Sequence, residues 1–384
     1  ISVAKLITDS QRKDEFIRDF LTSTNEKLVN DLFVTSDAHL LVGVSGGVDS
    51  IALLDAMAQI SQKVGFTLTV AHFNHMLRAG DSDEDEKFVM QVAKEYNLQV
   101  YTGSGDVKDY AEKNSISIEQ SARSLRYAFF HRIAKHVKAN YIATAHTADD
   151  SAETFFINLL RGSGLTGLRG IPAIRPMNKG VVIIRPFIDK NKKTLVEYAH
   201  RRNLEWREDE SNNLLQFTRN KVRNELIPYL EDKYSPAIVE LINRTSRLID
   251  GADRFISDYV DKVAQSVITD RRKDRFSVKT ALFQTFDDFI QGEIVQLLIS
   301  TFFKAHTLPM AIIDRIIKLF DANTGAVCEI NKLLYAVKDR ETVIFARRRQ
   351  ASDELVQISK EGEFDFFGNK FILKEVEKID VRLG

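Results

Sequence analysis

The sequence predicts an α/β fold: a parallel sheet with helices on both faces, then an α-helical domain and the start of a small C-terminal α+β module. Three observations carry this. From His39 onward, short apolar runs alternate with amphipathic helical patterns, the signature of a parallel sheet wrapped by helices. A glycine pair ends the first run and opens a helix. After about Phe217 the apolar spacing turns helical.

Residues 1–37 form a polar, charged N-terminal extension with a short helical pattern at Phe16, Ile17 and Phe20. HLLVGVS, from His39, is a buried-strand run, and a helix follows from Val48 to about Gln62. FTLTVAHF is a second strand, Ser82 to about Tyr96 a charged helix, and QVYTGS a third strand. SIEQSARSLRYAFFHRIAKHV is a long amphipathic helix, YIATAH a fourth strand, and DDSAETFFINLLRGSG opens another helix. VVIIRP at 181–186 is a candidate further strand. These elements set a first domain over 38–216, ending in the polar stretch REDESNNLLQ. NELIPYLEDKY, PAIVELINRTSRLI and QGEIVQLLISTFF give a helical domain over 217–345. TVIFARR and FDFFGNKFIL are strand-like, and 346–384 is expected to begin a further module cut short at Gly384.

Composition narrows the class. Hydrophobic residues make up 44%, enough for a sizeable core. The 54 basic and 54 acidic residues cancel, which argues against a uniformly basic binder but leaves room for a local basic patch. Cys328 is the one cysteine, so neither an internal disulfide nor a CxxC metal site is available, and a reduced, cytoplasmic setting fits. The opening segment has no apolar signal core. No apolar run is long enough to span a bilayer, so no membrane partner is expected.

The decisive motif is Ser45-Gly46-Gly47-Val48-Asp49-Ser50, between a buried strand and a helix. Glycines let the backbone turn tightly and approach a ligand. The helix start presents unpaired N–H groups and partial positive charge, which suits phosphate. Ser45 and Ser50 are candidate hydroxyl donors. Asp49 repels phosphate directly, but fits if Mg²⁺ bridges the two. The segment lacks the GK[ST] ending of a Walker A loop. The bland alternative is a plain strand–turn–helix, with Asp49 as a helix-start charge.

SGGxDS resembles the signature of the PP-loop ATP pyrophosphatases, which cleave ATP to AMP and pyrophosphate. The implied fold is an adenine nucleotide alpha hydrolase-like domain. Four segments narrow the resemblance to the tRNA(Ile)-lysidine synthetases: AHFNHMLR (71–78), EQSARSLRY (119–127), TAHTADDSAETFFINLLRGSGLTGLRGI (144–171) and RPFIDKNKKTLVEYAHRRNLEWREDESNNLLQFTRNKVRNELIPYL (185–230). The last carries the DxSN and RNxxR elements of that family, and together they cover roughly 38–230.

The residues of these segments support chemistry to different degrees. Arg123 and Arg126 share a helical face, and paired guanidiniums suit phosphate oxygens; a solvated face with Glu119 is the alternative. The resemblance favours Arg126 as catalytic. His146 ends a strand at the edge where open α/β sheets bind ligands, a position suited to proton handling. Asp150 and Glu153 form a two-carboxylate patch, which the resemblance assigns to free lysine; Asp149 is read as a helix cap. Arg161 and Arg169 lie on a glycine-rich segment suited to an RNA backbone, or to nothing beyond a surface loop. His75 and Arg78 are candidates for nucleotide or tRNA contact, and His72 for a structural role. Arg219, Lys221 and Arg223 offer a basic cluster for tRNA, with a solvated face equally open. Trp206 and Tyr127 are read as packing residues.

The resemblance implies a tRNA(Ile) with a CAU anticodon, free lysine, ATP and Mg²⁺ as partners, a tRNA-contacting role for the helical domain, and a homodimer by family precedent. It implies that the wobble cytidine is adenylated at its C2 oxygen and that the lysine ε-amine then displaces AMP. The base that deprotonates the amine stays open between His146 and a carboxylate. Two rivals stand beside this: another PP-loop enzyme such as a tRNA thiolase, disfavoured by the lone distant cysteine, and a catalytically silent ATP- or tRNA-binding module.

Overall fold

The computed structural model describes residues 3–76, 81–177, 180–207, 218–304, 308–348, 362–366 and 369–373, with side chains from Asp14 onward except at 81–83, 362, 364–366 and 369–373. The chain forms two compact units, Ile1–Phe255 and Ile256–Gly384.

In the first unit, α1 (Val3–Glu26) leads into β1 (His39–Gly43) and α2 (Val48–Val64). β2 (Thr67–Asn74), α3 (Asp81–Glu95), β3 (Val100–Ser104), α4 (Val107–Asn114) and α5 (Ile118–His136) follow. Next come β4 (Tyr141–Ala143), α6 (Ala148–Leu160), α7 (Leu165–Leu168), β5 (Ile174–Pro176), β6 (Val182–Ile184) and α8 (Lys192–Arg201). The sheet order is β3-β2-β1-β4-β6-β5, parallel except for the antiparallel edge strand β5. β1 is central because its run is buried on both sides: Leu40, Leu41 and Val42 are fully buried. Leu40 and Val42 pack with α2, α3 and α8, while Leu41 packs with Phe129 and Phe130 of α5 on the other face. The strand order reverses at β1, so its C-terminal end sits at a topological switch point, where open α/β sheets bind ligands.

α1 belongs to this core. Phe20 is 4% exposed, stacks on Tyr198 at 4.1 Å and meets Phe187 edge-on. Its spacing with Phe16 and Ile17 was legible, but its partners are more than 160 positions away.

α9 (Thr218–Lys221), a π-helical turn (Val222–Leu226), α10 (Ile227–Lys233) and the start of α11 (Ile238–Val267) also pack within the first unit. The junction expected at 216/217 therefore differs from the observed division at 255/256. Val222, Ile227 and Val239 bury against Ala148, Ala152 and Ile157 of α6, and Asn243 donates to the Ala148 carbonyl at 2.8 Å. That apolar face of α6 was visible in the sequence; what covers it was not.

The second unit contains β7 (Ile268–Arg271), β8 (Arg275–Lys279), α12 (Thr280–Phe283), α13 (Asp288–Phe303), α14 (Met310–Leu319), β9 (Val327–Glu329), β10 (Leu334–Asp339) and β11 (Thr342–Arg347). The strands form an antiparallel sheet, β7-β8-β11-β10-β9, around a core with Phe276, Phe283, Phe320 and Phe345. Helices fill much of this unit as the spacing suggests, while RFSVK and LYAVKD are short, charged strands whose alternation is hidden among helical spacing. β12 (Gly362–Phe366) and β13 (Asn369–Leu373) form a hairpin. Among the described residues, no helix is long and apolar enough to cross a membrane.

Candidate active site

The loop between β1 and α2 is shaped by two glycines and one serine. A side chain at Gly43 would place Cβ 2.8 Å from the Phe130 ring, and Gly46 takes φ +98°, a conformation that disfavours any Cβ. The Ser50 hydroxyl pins the turn: it accepts from the Ser45 and Gly46 amides at 3.1 and 3.2 Å and donates to the Gly47 carbonyl at 2.9 Å. The Ser45 hydroxyl also donates to it at 3.2 Å. Ser50 therefore holds the loop, where the sequence suggested a free phosphate donor. Gly47 caps α2 without a side chain, so the first-turn amides of Val48 and its neighbours receive no cap. His72, 3% exposed, bonds the Val44 carbonyl through Nδ1 at 2.9 Å, fixing the chain as it enters the turn. From the other side, the Arg207 amide donates to the Gly46 carbonyl at 3.0 Å, and its guanidinium binds Asp85 and Glu84 of α3.

Asp49 lies in the first turn of α2. Its Oδ1 is buried without a hydrogen-bond partner. Burial pushes its pKa up from 3.8 to about 6; the nearby Lys192 ammonium opposes this, and Asp150 adds to it.

β4 is the neighbour of β1, so the segment after β4 stands beside this loop. There His146 shares a 2.9 Å hydrogen bond between Nδ1 and the Thr144 hydroxyl. Burial pushes its pKa well below the usual imidazole range, which leaves it neutral at pH 7. Thr147 caps α6 through a capping box: Asp150 N donates to its hydroxyl, and Thr147 N donates to Asp150 Oδ2 at 2.9 Å. Asp149 instead accepts from Lys192 N at 2.7 Å, at the start of α8. The cap assignment is therefore corrected: Asp150 closes its own helix, and Asp149 serves the neighbouring one.

Glu153, 1% exposed, lies one turn from Asp150. The sequence placed Arg219 and Arg223 in a basic cluster open to tRNA; the structure commits both to carboxylates. Arg223 binds Glu153 through Nε at 2.5 Å and Nη2 at 3.0 Å, and reaches Asp150 Oδ1 at 3.1 Å. Arg219 pairs with Glu119 at 3.1 Å and lies 3.7 Å from Glu153. Burial still pushes Glu153 above the usual carboxylate range, against the pull of Arg223. Asp150 is held below that range: burial opposes ionisation, but His146, the Thr147 amide and Arg223 favour it.

Arg126 of α5 faces this region, its guanidinium carbon 5.6 Å from the Tyr127 ring centre. Burial lowers its pKa, and repulsion from Arg123 and Arg219 adds to the effect. Burial likewise pushes the nearby His75 down to about 4, with Arg126 adding repulsion. Arg161 is exposed at the end of α6, and Arg169 is tied to Asp253 at 3.3 Å. Arg78 and the DxSN element lie outside the described residues.

Sequence reasoning missed Lys192, Arg175 and Arg185. Lys192 stood in KNKK, which looks like any solvated helix start. Arg185 follows a strand and is only 1% exposed, a burial that one-dimensional pattern does not show.

Comparison with known proteins agrees with this geometry. The family model of the PP-loop domain matches residues 18–230. The tRNA(Ile)-lysidine synthase of Clostridium tetani is 38% identical over 220 residues, covering 57% of this chain and 46% of that protein. That of Geobacter sulfurreducens is 38% identical over 224 residues, covering 58% and 46%. The chain thus spans about half the length of these curated relatives. Among solved structures, the U34-tRNA thiolase NcsA from Methanococcus maripaludis superposes with a TM-score of 0.52 at 19% identity, over 62% of this chain and 80% of that one, which establishes likeness of fold. With a glycine-turned loop at the switch point of a parallel sheet, an uncapped helix start and a family match over most of the first unit, the chain belongs to the PP-loop domain family.

Proposed function

We propose that this chain carries the chemistry of a tRNA(Ile)-lysidine synthase. It joins lysine to C2 of the wobble cytidine in a CAU-anticodon tRNA(Ile), consuming ATP and releasing AMP and pyrophosphate. The observation that carries the reading is the uncapped start of α2 with the unpartnered Asp49 Oδ1, on the same crest as the Asp150–Glu153 carboxylate pair.

The Ser45–Asp49 backbone suits the triphosphate. A Cβ at Gly47 would meet nothing closer than the Ser45 hydroxyl at 3.8 Å, so no protein contact demands glycine there, whereas close approach of phosphate does. Asp49 Oδ1 fits Mg²⁺, which binds through one or two carboxylates plus substrate phosphates. When bound, the ion neutralises phosphate charge and aids departure of pyrophosphate. The cytidine C2 oxygen attacks the α-phosphorus, the bond to the β-phosphate oxygen breaks, and Arg126 offsets charge gathering at phosphorus. The lysine ε-amine then attacks C2 and AMP leaves. The amine proton passes to His146 or to a carboxylate of the Asp150–Glu153 pair as the C–N bond forms. Asp150 and Glu153 orient the lysine through its ammonium charge; to receive it, Arg223 gives up its single bond to Asp150. Arg161 and Arg78 remain the candidates for backbone contact. The lone cysteine and a tRNA substrate fit a cytoplasmic reaction, and a homodimer stays the expected assembly.

AMP release with a CAU-anticodon transcript, with and without lysine, tests the reading. Lysine-dependent AMP is expected. AMP formed equally without lysine would assign another PP-loop chemistry, and no AMP in any condition would leave a silent binding module.

A further inference from the structure

Outside the loop and the carboxylate pair, one cluster of positive charge has no carboxylate partner among the described residues of the first unit. Tyr127 of α5 is 6% exposed, and the Arg185 guanidinium lies against its hydroxyl without an aligned hydrogen bond. Three guanidinium carbons surround its ring: Arg175 at 4.9 Å, Arg123 at 5.1 Å and Arg126 at 5.6 Å from the centre. Arg185, 1% exposed, is anchored by Nη1 to the Pro172 carbonyl at 2.5 Å, while its Nε is buried without a partner. Among the described residues, none of these four arginines forms an ion pair with a carboxylate. Like charges gathered in a partly buried site repel at short range, and the cost falls when an anion enters. Burial alone pushes the Tyr127 phenol up, yet Arg185, Arg123 and Arg126 outweigh it and hold it below its usual range.

The cage is a place of its own along the crest. Arg185 leaves β6, two strands from β1, which sets it on the order of 10 Å from the loop at Ser45. Its members come from a helix, an edge strand and a strand end, so the site is held by the sheet itself. Arg123 and Arg175 are only half-buried, which leaves an approach from solvent. His146 lies between the cage and the loop, within electrostatic reach of Arg185, Arg126 and Arg123.

We propose that Arg123, Arg175 and Arg185, gathered about Tyr127, form a second anion site that takes a phosphodiester of the RNA strand next to the reacting nucleotide. Arg123 and Arg175 bind the phosphate directly, Tyr127 donates a hydrogen bond, and Arg185 supplies fixed positive charge. The strand is thereby clamped on the far side of His146 from the nucleotide phosphates. The RNA part of this assignment rests on the proposed function; the anion site does not.

The test uses the full chain and the Arg123→Gln/Arg175→Gln variant, with two readouts. First, inorganic phosphate is titrated at constant ionic strength while the melting temperature is followed. The wild type is expected to gain stability and the variant to lose at least half of that gain; an equal gain in both overturns the anion site. Second, affinities for a CAU-anticodon tRNA and for Mg-ATP are measured. The variant is expected to bind tRNA about tenfold more weakly, with a salt dependence shallower by about one to two phosphate contacts, and Mg-ATP within twofold of wild type. Loss of Mg-ATP affinity with unchanged tRNA binding would reassign the cage to the nucleotide and overturn the RNA assignment. A phosphate effect without any change in tRNA binding would overturn it too. Failure of the function reading shows separately, as absence of lysine-dependent AMP in the wild type.

Discussion

A carboxylate oxygen taken from water and left without a partner favours its protonated form. Asp49 is in that position, with a folded pKa near 6 against the usual 3.8. The sign follows from linkage: this group's stabilising contribution is fully present below about pH 4 and is lost as pH rises through about 6. Replacing the carboxylate by an amide removes that loss. Asp49→Asn is therefore expected to raise the melting temperature of the unliganded protein at pH 7.5 while abolishing Mg-dependent ATP binding. The two-unit shift sets a ceiling of about 3 kcal/mol on the gain; a lower melting temperature would mean that Asp49 is answered within the fold. Wild-type affinity for Mg-ATP is expected to fall as pH is lowered through about 6, because protonated Asp49 is a poor metal ligand. Calorimetry from pH 5 to 7.5 checks this, and a flat profile would remove Asp49 from the metal. The glycine turn before α2 was legible from six letters, since glycine geometry and a helix start are local properties. The orphaned oxygen was not, because it depends on what surrounds α2.

At the scale of elements, α6 and the helical segment from Thr218 are joined by apolar packing and by Arg223 on two carboxylates. Removing one partner of a buried ion pair costs more than removing both. Arg223→Met is expected to destabilise the first unit by roughly 3 kcal/mol in urea denaturation, with much of that loss recovered in the Arg223→Met/Glu153→Met double variant. Equal or additive losses would show that the pair is not coupled. Glu153→Gln keeps the shape and removes the charge. It is expected to raise the lysine concentration for half-maximal AMP formation by about tenfold, on the order of 1.4 kcal/mol, with the ATP requirement unchanged. An unaltered lysine requirement would detach Glu153 from lysine recognition. The spacing of Asp150 and Glu153 put both on one helical face, so the acidic pair could be read from sequence. That Arg223 lies upon it could not, because the two segments are about 70 positions apart.

At the scale of the molecule, a formal net charge of zero coexists with an arginine cluster on one sheet crest that pairs with no carboxylate among the described residues. Binding to RNA responds to local phosphate neutralisation, not to the total. The affinity for tRNA is therefore expected to fall steeply with salt, with a log–log slope more negative than about −2; a slope near zero would mean that the crest does not meet the backbone. The division into two units carries a second lesson. The helical segment from Thr218 reads as a new domain because its pattern changes, yet it buries its apolar face against α6, within the first unit.

The sequence by itself determined the alternating α/β order, the glycine turn that opens α2 and the acidic pair on α6, because each depends on residues within a turn or two of one another. Only the tertiary structure decided that Ser50 pins the loop, that Arg223 occupies the acidic pair, and that four arginines meet around one tyrosine. Those facts arise where strand ends and helices distant in sequence converge, and burial and charge there are set by neighbours that no local spacing encodes.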